Sequence, residues 1–233
     1  MKIAIMQPYL FPYIGYFQLI GAVDTFVIYD DVNYITRGWI NRNRILLNGK
    51  EKLFTLRLVK ASQNRLINDI EIDADPKNRR NLFEVIRHAY AKAPFYREVE
   101  PVLRETIFSD ESSLSRFLAA HLLALSRFLG VETEFVFSSG IDKDNALTGQ
   151  DKIIDIVKRL KADQYVNPIG GTALYDKERF AQEGIGLFFI KTNELSYRQF
   201  HNAFVPNLSI IDPMMFNGKK RVIELLNEHV LLH

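Results

Sequence analysis

Two rhythms of apolar residues run along this chain: short unbroken runs toward its ends and a helical period through its middle. Lys2–Met6 is a short apolar run closed by Pro8, the pattern of a buried strand. Pro12 excludes helical geometry from Phe11, so Tyr9–Pro12 is a turn and a helix can begin only after it. From Tyr13 apolar residues recur at helical spacing through Phe17 and Ile20 to Ala22-Val23, and Thr25–Tyr29 is a second apolar run ending in Asp30-Asp31. Strand, short helix and strand in this order predict a βαβ unit with parallel strands.

Asn33–Asn48 reads as a polar connection, and Leu53–Val59 and Ile67–Ile72 read as strands. Asp73–Pro76 carries a helix start signal, and helical periods follow near Lys77–Ala91, Phe95–Phe108 and Leu114–Leu129, with Gly130 at the position of a C-terminal cap. Beyond it the pattern predicts a strand at Phe135–Ser138, a helix at Gly149–Leu160, a strand at Gln164–Asn167, a short helix at Glu178–Gln182, a strand at Ile185–Ile190 and a closing helix at Arg221–Val230. The expected fold is α/β, with a parallel-sheet, Rossmann-like core. Residues 1–233 form a single domain in this reading, with a helical insertion at about 74–130.

Composition narrows the chemistry. The 233 residues can bury a sizeable core without a metal or disulfide staple. Thirty basic against 28 acidic side chains leave a formal charge of +2, which argues against a nucleic-acid partner. The absence of cysteine removes disulfides, thiolate catalysis and cysteine-based zinc, and fits a reducing cytoplasm, the expected location, as well as many exported proteins. The apolar start is too short for a signal peptide, and no segment approaches the ~18–20 apolar residues of a membrane span, so no membrane insertion is expected.

Three segments at expected strand ends are candidates for binding a small anionic substrate such as a nucleotide, sugar nucleotide or acyl donor. In the first, Gln7, Pro8, Tyr13, Gly15 and Tyr16 surround the turn after the opening strand, where a helix N-terminus offers amide donors and Gly15 allows close approach of a ligand. The other reading of this turn is aromatic core filling and helix–strand packing. In the second, Asp30, Asp31 and Asn33 supply carboxylates that can bind hydroxyls, hold Mg²⁺ or act as a base. Consecutive strand residues point to opposite faces, so the pair chelates one ion only if the strand has already ended. In the third, Arg37, Trp39, Asn41, Arg42 and Asn43 gather guanidiniums and amides around an aromatic plane, suited to phosphate or carboxylate.

Gly170 and Gly171, with Tyr175 beyond them, form a weaker candidate anion nest opening at the same sheet edge. His201 is the best candidate acid or base among the histidines, and no histidine lies at a defensible metal-ligand spacing. The spacing of the first segment resembles that of nucleotidylyltransferases, but Tyr13-Ile14-Gly15-Tyr16 stands where those enzymes carry His-x-Gly-His. A tyrosine with a pKa near ~10 does not replace a protonated imidazole.

Ile3-Ala4-Ile5-Met6-Gln7-Pro8-Tyr9, Pro12–Phe17, Asp30-Asp31-Val32 and Gly38–Asn43 together resemble the WbqC-like family, and the likeness continues through Asp163–Tyr165, Gly170-Gly171, Tyr175, Ser209–Asp212 and Asn217-Gly218. The resemblance implies a context of bacterial O-antigen and other surface-polysaccharide synthesis, with an acyl or aminoacyl (glycyl) transfer to an activated sugar suggested for one branch. It carries no settled catalytic residue and no settled cofactor, although a nucleotide or Mg²⁺ is compatible with it. On this expectation Asp30, Asp31 and His201 are the catalytic candidates, Arg37 and Arg42 neutralise phosphate, and Gln7 and Tyr16 orient the acceptor. A non-catalytic nucleotide-sugar-binding or assembly protein of the same pathway is the other reading.

Overall fold

The structure is a computed structural model that describes residues 1–201 and 203–233. In chain order its elements are β1 (Lys2–Met6), α1 (Ile14–Gly21), β2 (Thr25–Ile28), β3 (Arg42–Leu47), β4 (Lys50–Thr55), β5 (Leu58–Val59), β6 (Glu71–Ile72), α2 (Pro76–Tyr90), α3 (Tyr96–Ile107), α4 (Leu114–Phe128), β7 (Glu134–Phe137), α5 (Gly149–Arg159), β8 (Gln164–Pro168), α6 (Lys177–Gln182), β9 (Gly186–Thr192), α7 (Ile211–Leu226) and β10 (His229–Leu232).

Six strands form one sheet in the order β10-β9-β8-β1-β2-β7, parallel except for β10, which runs antiparallel to β9. From β1 the chain winds outward through β2 to β7, then returns to the other side of β1 with β8 and β9. The two halves therefore diverge between β1 and β8, where the carboxyl ends of an open α/β sheet leave a crevice. Alternation along the strands divides the core. Ala4, Phe26, Ile28, Val166 and Ile190 face α1, α7 and the helices α2–α4, whereas Ile3, Ile5, Val27, Tyr165 and Leu187 face α5 and α6. The fold is α/β and Rossmann-like, with helices on both faces.

Three segments differ from the pattern reading. Asn33–Asn48 is not wholly a connection, because Arg42–Leu47 pairs with Lys50–Thr55 as a hairpin across Asn48 (φ 53°) and Gly49 (φ 75°). Ile67–Ile72 is a helical turn at Ile67–Asp69 followed by only two strand residues. The closing helix begins at Ile211 rather than Arg221, breaks at Gly218 (φ 69°), and ends before Asn227, after which His229–Leu232 is the edge strand β10.

The turn after β1 is fixed from several sides. Phe11 sits at φ 43°, in the left-handed region, although the following proline favours extended backbone there, and such a residue persists only where its surroundings over-determine it. The Leu10 amide donates to the Trp39 and Ile40 carbonyls, the Asn43 amide group donates to the Leu10 and Phe11 carbonyls, and the Phe11 amide donates to Nε2 of His121 at 3.0 Å. His121 is buried, and burial pushes its pKa down to about 3, so the ring is neutral and serves this turn as an acceptor.

Candidate functional site

Past Ile28 the chain keeps the alternation of β2 for three more residues. Asp30 continues the face of Phe26 and Ile28, and Asp31 continues the face of Val27 and Tyr29. Asp30 is buried and accepts hydrogen bonds from the Ser139 amide (3.0 Å) and hydroxyl (2.7 Å), which anchors the turn after β7. It lines a cavity of about 540 Å³ with Asn68, Glu71, Ser113 and Arg116. Burial raises its pKa, and the Ser139 hydrogen bonds offset only part of that rise.

Asp31 opens into a different cavity, of about 590 Å³, between the carboxyl ends of β2 and β7 and the start of α5. Its carboxylate lies 2.6 Å from Lys143 Nζ and 3.8 Å from Lys152 Nζ. The Lys143 side chain is 2% exposed and also donates to the Ser138 carbonyl, and the Lys152 side chain is 11% exposed and lies over the Tyr29 ring. Burial alone would raise the Asp31 pKa, but the Lys143 hydrogen bond and the charges of Lys152 and Lys143 outweigh it and hold the carboxyl below its usual range. Two cations against one anion leave this cavity with a positive excess.

Helix α5 adds to that excess. Thr148 and Gly149 at its start line the cavity, the Thr148 side chain caps none of the first-turn amides, and Asp151 lies in the same turn. On the far side, Tyr29 is pushed up to about 12 by burial and by the neighbouring Asp31 and Tyr175. Tyr175 reaches the Tyr165 hydroxyl at 3.1 Å, and Tyr165 in turn donates to Asn167. A Cβ at Gly171 would collide with the Asn167 side-chain amide, so this glycine is required for the β8 loop to close over Asn167. Gly170 is exposed in the same loop.

The remaining candidates lie elsewhere. Tyr16 is in the core and its hydroxyl donates to the Gln7 carbonyl at 2.8 Å. Pro8 is buried, and Gly15 packs α1 against Tyr13 and Thr192. Asn41 joins Tyr34 to the Leu56 carbonyl, and Arg42 donates to the Gly38 and Arg37 carbonyls, closing its own loop. Arg37 is exposed at φ 60°, and His201 is exposed beside Arg198, its ring nitrogen 3.4 Å from that guanidinium. Trp39 and Asn43 line a separate pocket with Tyr13.

The structure thus brings Asp31 and Asn33 into one cavity, with Tyr175 beside Tyr29 on its wall, while neither Gln7 nor Arg42 is among the residues lining it. Lys143 and Lys152 escaped the sequence reading. For Lys152 the signal was its place one turn into the Gly149–Leu160 helix, whose N-terminus can face an anion, whereas nothing local marks Lys143.

Among the described residues no three His, Cys, Asp or Glu side chains converge as a metal-holding set. At Asp31 itself two lysines occupy the space a cation would take. Among the same residues no helix is long and apolar enough to cross a membrane.

The family described as the WbqC-like protein family matches residues 7–224. The chain is 27% identical over 219 residues to the uncharacterized protein Rv1507c of Mycobacterium tuberculosis, covering 93% of each chain. No solved structure matches it.

Proposed function

Because the chain belongs to the WbqC-like protein family, we propose that it is an enzyme of bacterial surface-glycan biosynthesis that transfers an acyl or aminoacyl group to an activated sugar. The observation that carries this reading is the convergence of Lys143, Lys152 and the α5 N-terminus on Asp31 at the carboxyl edge of the sheet. An open cavity at a helix start, with nearly buried lysines on its wall, is suited to the phosphate of an activated substrate, since largely desolvated cations and helix N-terminal amides stabilise negative charge. Lys152 and the α5 amides hold the phosphate, and Asp31, kept ionised by Lys143, accepts a hydrogen bond from a substrate hydroxyl or amine. This assigns to lysines the role first given to Arg37 and Arg42, and it leaves Asp30 as an anchor of the β7 turn.

Asp31 is held well below neutrality, so it is a weak proton acceptor, and no histidine lines its cavity. That observation favours a second reading, a binding protein of the same pathway that presents the activated sugar to a partner. The two separate in one experiment. Acyl phosphates, aminoacyl adenylates and nucleotide sugars are screened for those that raise Tm, because native-state binding stabilises by mass action. The stabilising compounds are then incubated in donor and acceptor pairs and the sugar is weighed by mass spectrometry. Transfer predicts a sugar heavier by the acyl group, with turnover lost in Lys152→Met. Stabilisation without any mass gain across the pairs supports the binding protein, and stabilisation by none of them contradicts both.

A further inference from the structure

At the β1 turn, Tyr9, Pro12, Tyr13, Trp39 and Arg44 line a pocket of about 310 Å³, near the low end of the range for small-ligand sites. Its walls are aromatic faces, and its polar groups are of a particular kind. Among the described residues neither the Tyr9 nor the Tyr13 hydroxyl has a hydrogen-bond partner, although both residues are largely covered, and burial and then the nearby Tyr13 raise the Tyr9 pKa. Both hydroxyls are open to solvent within the concavity, where a ligand's donors and acceptors can replace water.

The charge of the pocket selects the ligand. Arg44 is the cation on its wall, but that guanidinium is paired with Glu51 at 2.7 Å and stacked 5.1 Å above Trp39. The Asn43 side chain is fully engaged by the Leu10 and Phe11 carbonyls and the Arg44 amide. Glu51 offsets the Arg44 charge, so the pocket has no paired-lysine excess like that at Asp31, and the buried Arg44 Nε, which has no partner among the described residues, is left as a donor for a ring oxygen. The wall offers flat π-faces for the C–H side of a ring and two phenols for its hydroxyls. The strained Phe11 turn, braced by His121 and Asn43, holds Tyr9, Pro12 and Tyr13 in register with Trp39. A second cavity, of about 650 Å³, shares Tyr13 and Asn207 with this pocket and leads away toward Tyr197 and Phe204, so a substituent on the ring has an exit.

From this geometry we propose that the Tyr9–Tyr13–Trp39 pocket binds a neutral pyranose ring. The pocket shares no lining residue with the Asp31 cavity, so this sugar site stands apart from the transferase reading.

Trp39 is the sole tryptophan, so its fluorescence reports this pocket alone. Purified protein is titrated into the millimolar range with free neutral hexoses, 6-deoxyhexoses and N-acetylhexosamines, with inorganic phosphate as a separate probe. At least one sugar is expected to give a saturable change in emission, and phosphate none. Tyr9→Phe and Tyr13→Phe should each weaken that sugar about five- to tenfold, one hydrogen bond's worth, with melting curves close to wild type. Asn207→Ala, on the exposed rim, serves if either phenylalanine variant fails to fold, and should weaken binding by a smaller factor. The proposal is overturned if no sugar saturates the signal, if the variants bind as wild type does, or if phosphate alone moves the emission. Pyrophosphate binding is measured on the same samples by calorimetry. Its persistence when sugar binding fails overturns this pocket and leaves the Asp31 cavity standing, whereas absence of both in the wild type overturns both.

Discussion

Lys143 and His121 are the residues on which burial and charge make the sharpest demands. Replacing Lys143 by Met leaves Asp31 buried with only the more distant Lys152, and breaking a buried pair costs on the order of 3 kcal/mol. The double variant Asp31→Asn with Lys143→Met should recover much of that loss in a denaturant titration, because the uncompensated charge is gone. The acid limb of stability separates the two sites. The His121 pKa is lowered in the folded protein to about 3, from an unfolded value near ~6.5, so its contribution is complete above the unfolded value and is lost as pH falls from there toward 3. Asp31 is also lowered, but its contribution is complete above the ordinary carboxylate value near ~3.9 and is lost only as pH falls below it. Between pH 6 and 4.5 the stability of the wild type should therefore fall by up to about 1.4 kcal/mol per pH unit through His121. His121→Gln, which keeps an acceptor for the Phe11 amide but cannot titrate, should remove that slope; an unchanged slope would show that another group sets it.

At the scale of elements, one close join is between α1 and the sheet. A Cβ at Gly15 would collide with the Tyr13 ring and come within 2.5 Å of Thr192 Oγ1, so Gly15→Ala must displace these side chains or move α1 off β9, at a cost of about 1–3 kcal/mol of overpacking. The same shift displaces Tyr13, and a drop in Tm of that size accompanied by altered Trp39 emission would confirm the coupling. Gly218 is similarly constrained, at φ 69° with a Cβ position 2.5 Å from Phe95, and it divides α7 where the helix crosses the 95–98 segment. Most of the sheet was legible from sequence because its strands are short apolar runs closed by prolines, carboxylates or glycines. The β3–β4 hairpin was not, since Arg42, Asn43 and Arg44 made its first half look polar. Asn48-Gly49, which suits the paired left-handed turn, was the signal that outweighs them. The strand β10 was hidden for the opposite reason: its apolar run continues the helical pattern of α7 without a proline between them.

Across the whole molecule, the order of strands sets where ligands can sit. The opening turn and the β8 loop both leave the sheet at the carboxyl edge beside the switch between β1 and β8, as their places in a parallel sheet imply. What composition could not convey was the partition at that edge. Neighbours Asp30 and Asp31 face opposite sides of the sheet, and Arg37 and Arg42, which look like phosphate ligands in sequence, are at the outside of a loop that Arg42 closes on itself. The cations that do meet Asp31 come from more than 110 residues further along, so no local motif joins them. The result is a lysine-lined cavity beyond the end of β2 and a separate aromatic pocket at the opening turn. The positive cavity is tested most directly by calorimetric titration of the purified protein with pyrophosphate, at low and at moderate salt. Binding should be saturable, weaken as salt rises, and weaken at least tenfold in Lys152→Met, which keeps the Asp31–Lys143 pair intact. Undetectable binding to the wild type, or equal affinity in Lys152→Met, would contradict the assignment of the Asp31 cavity as the phosphate site.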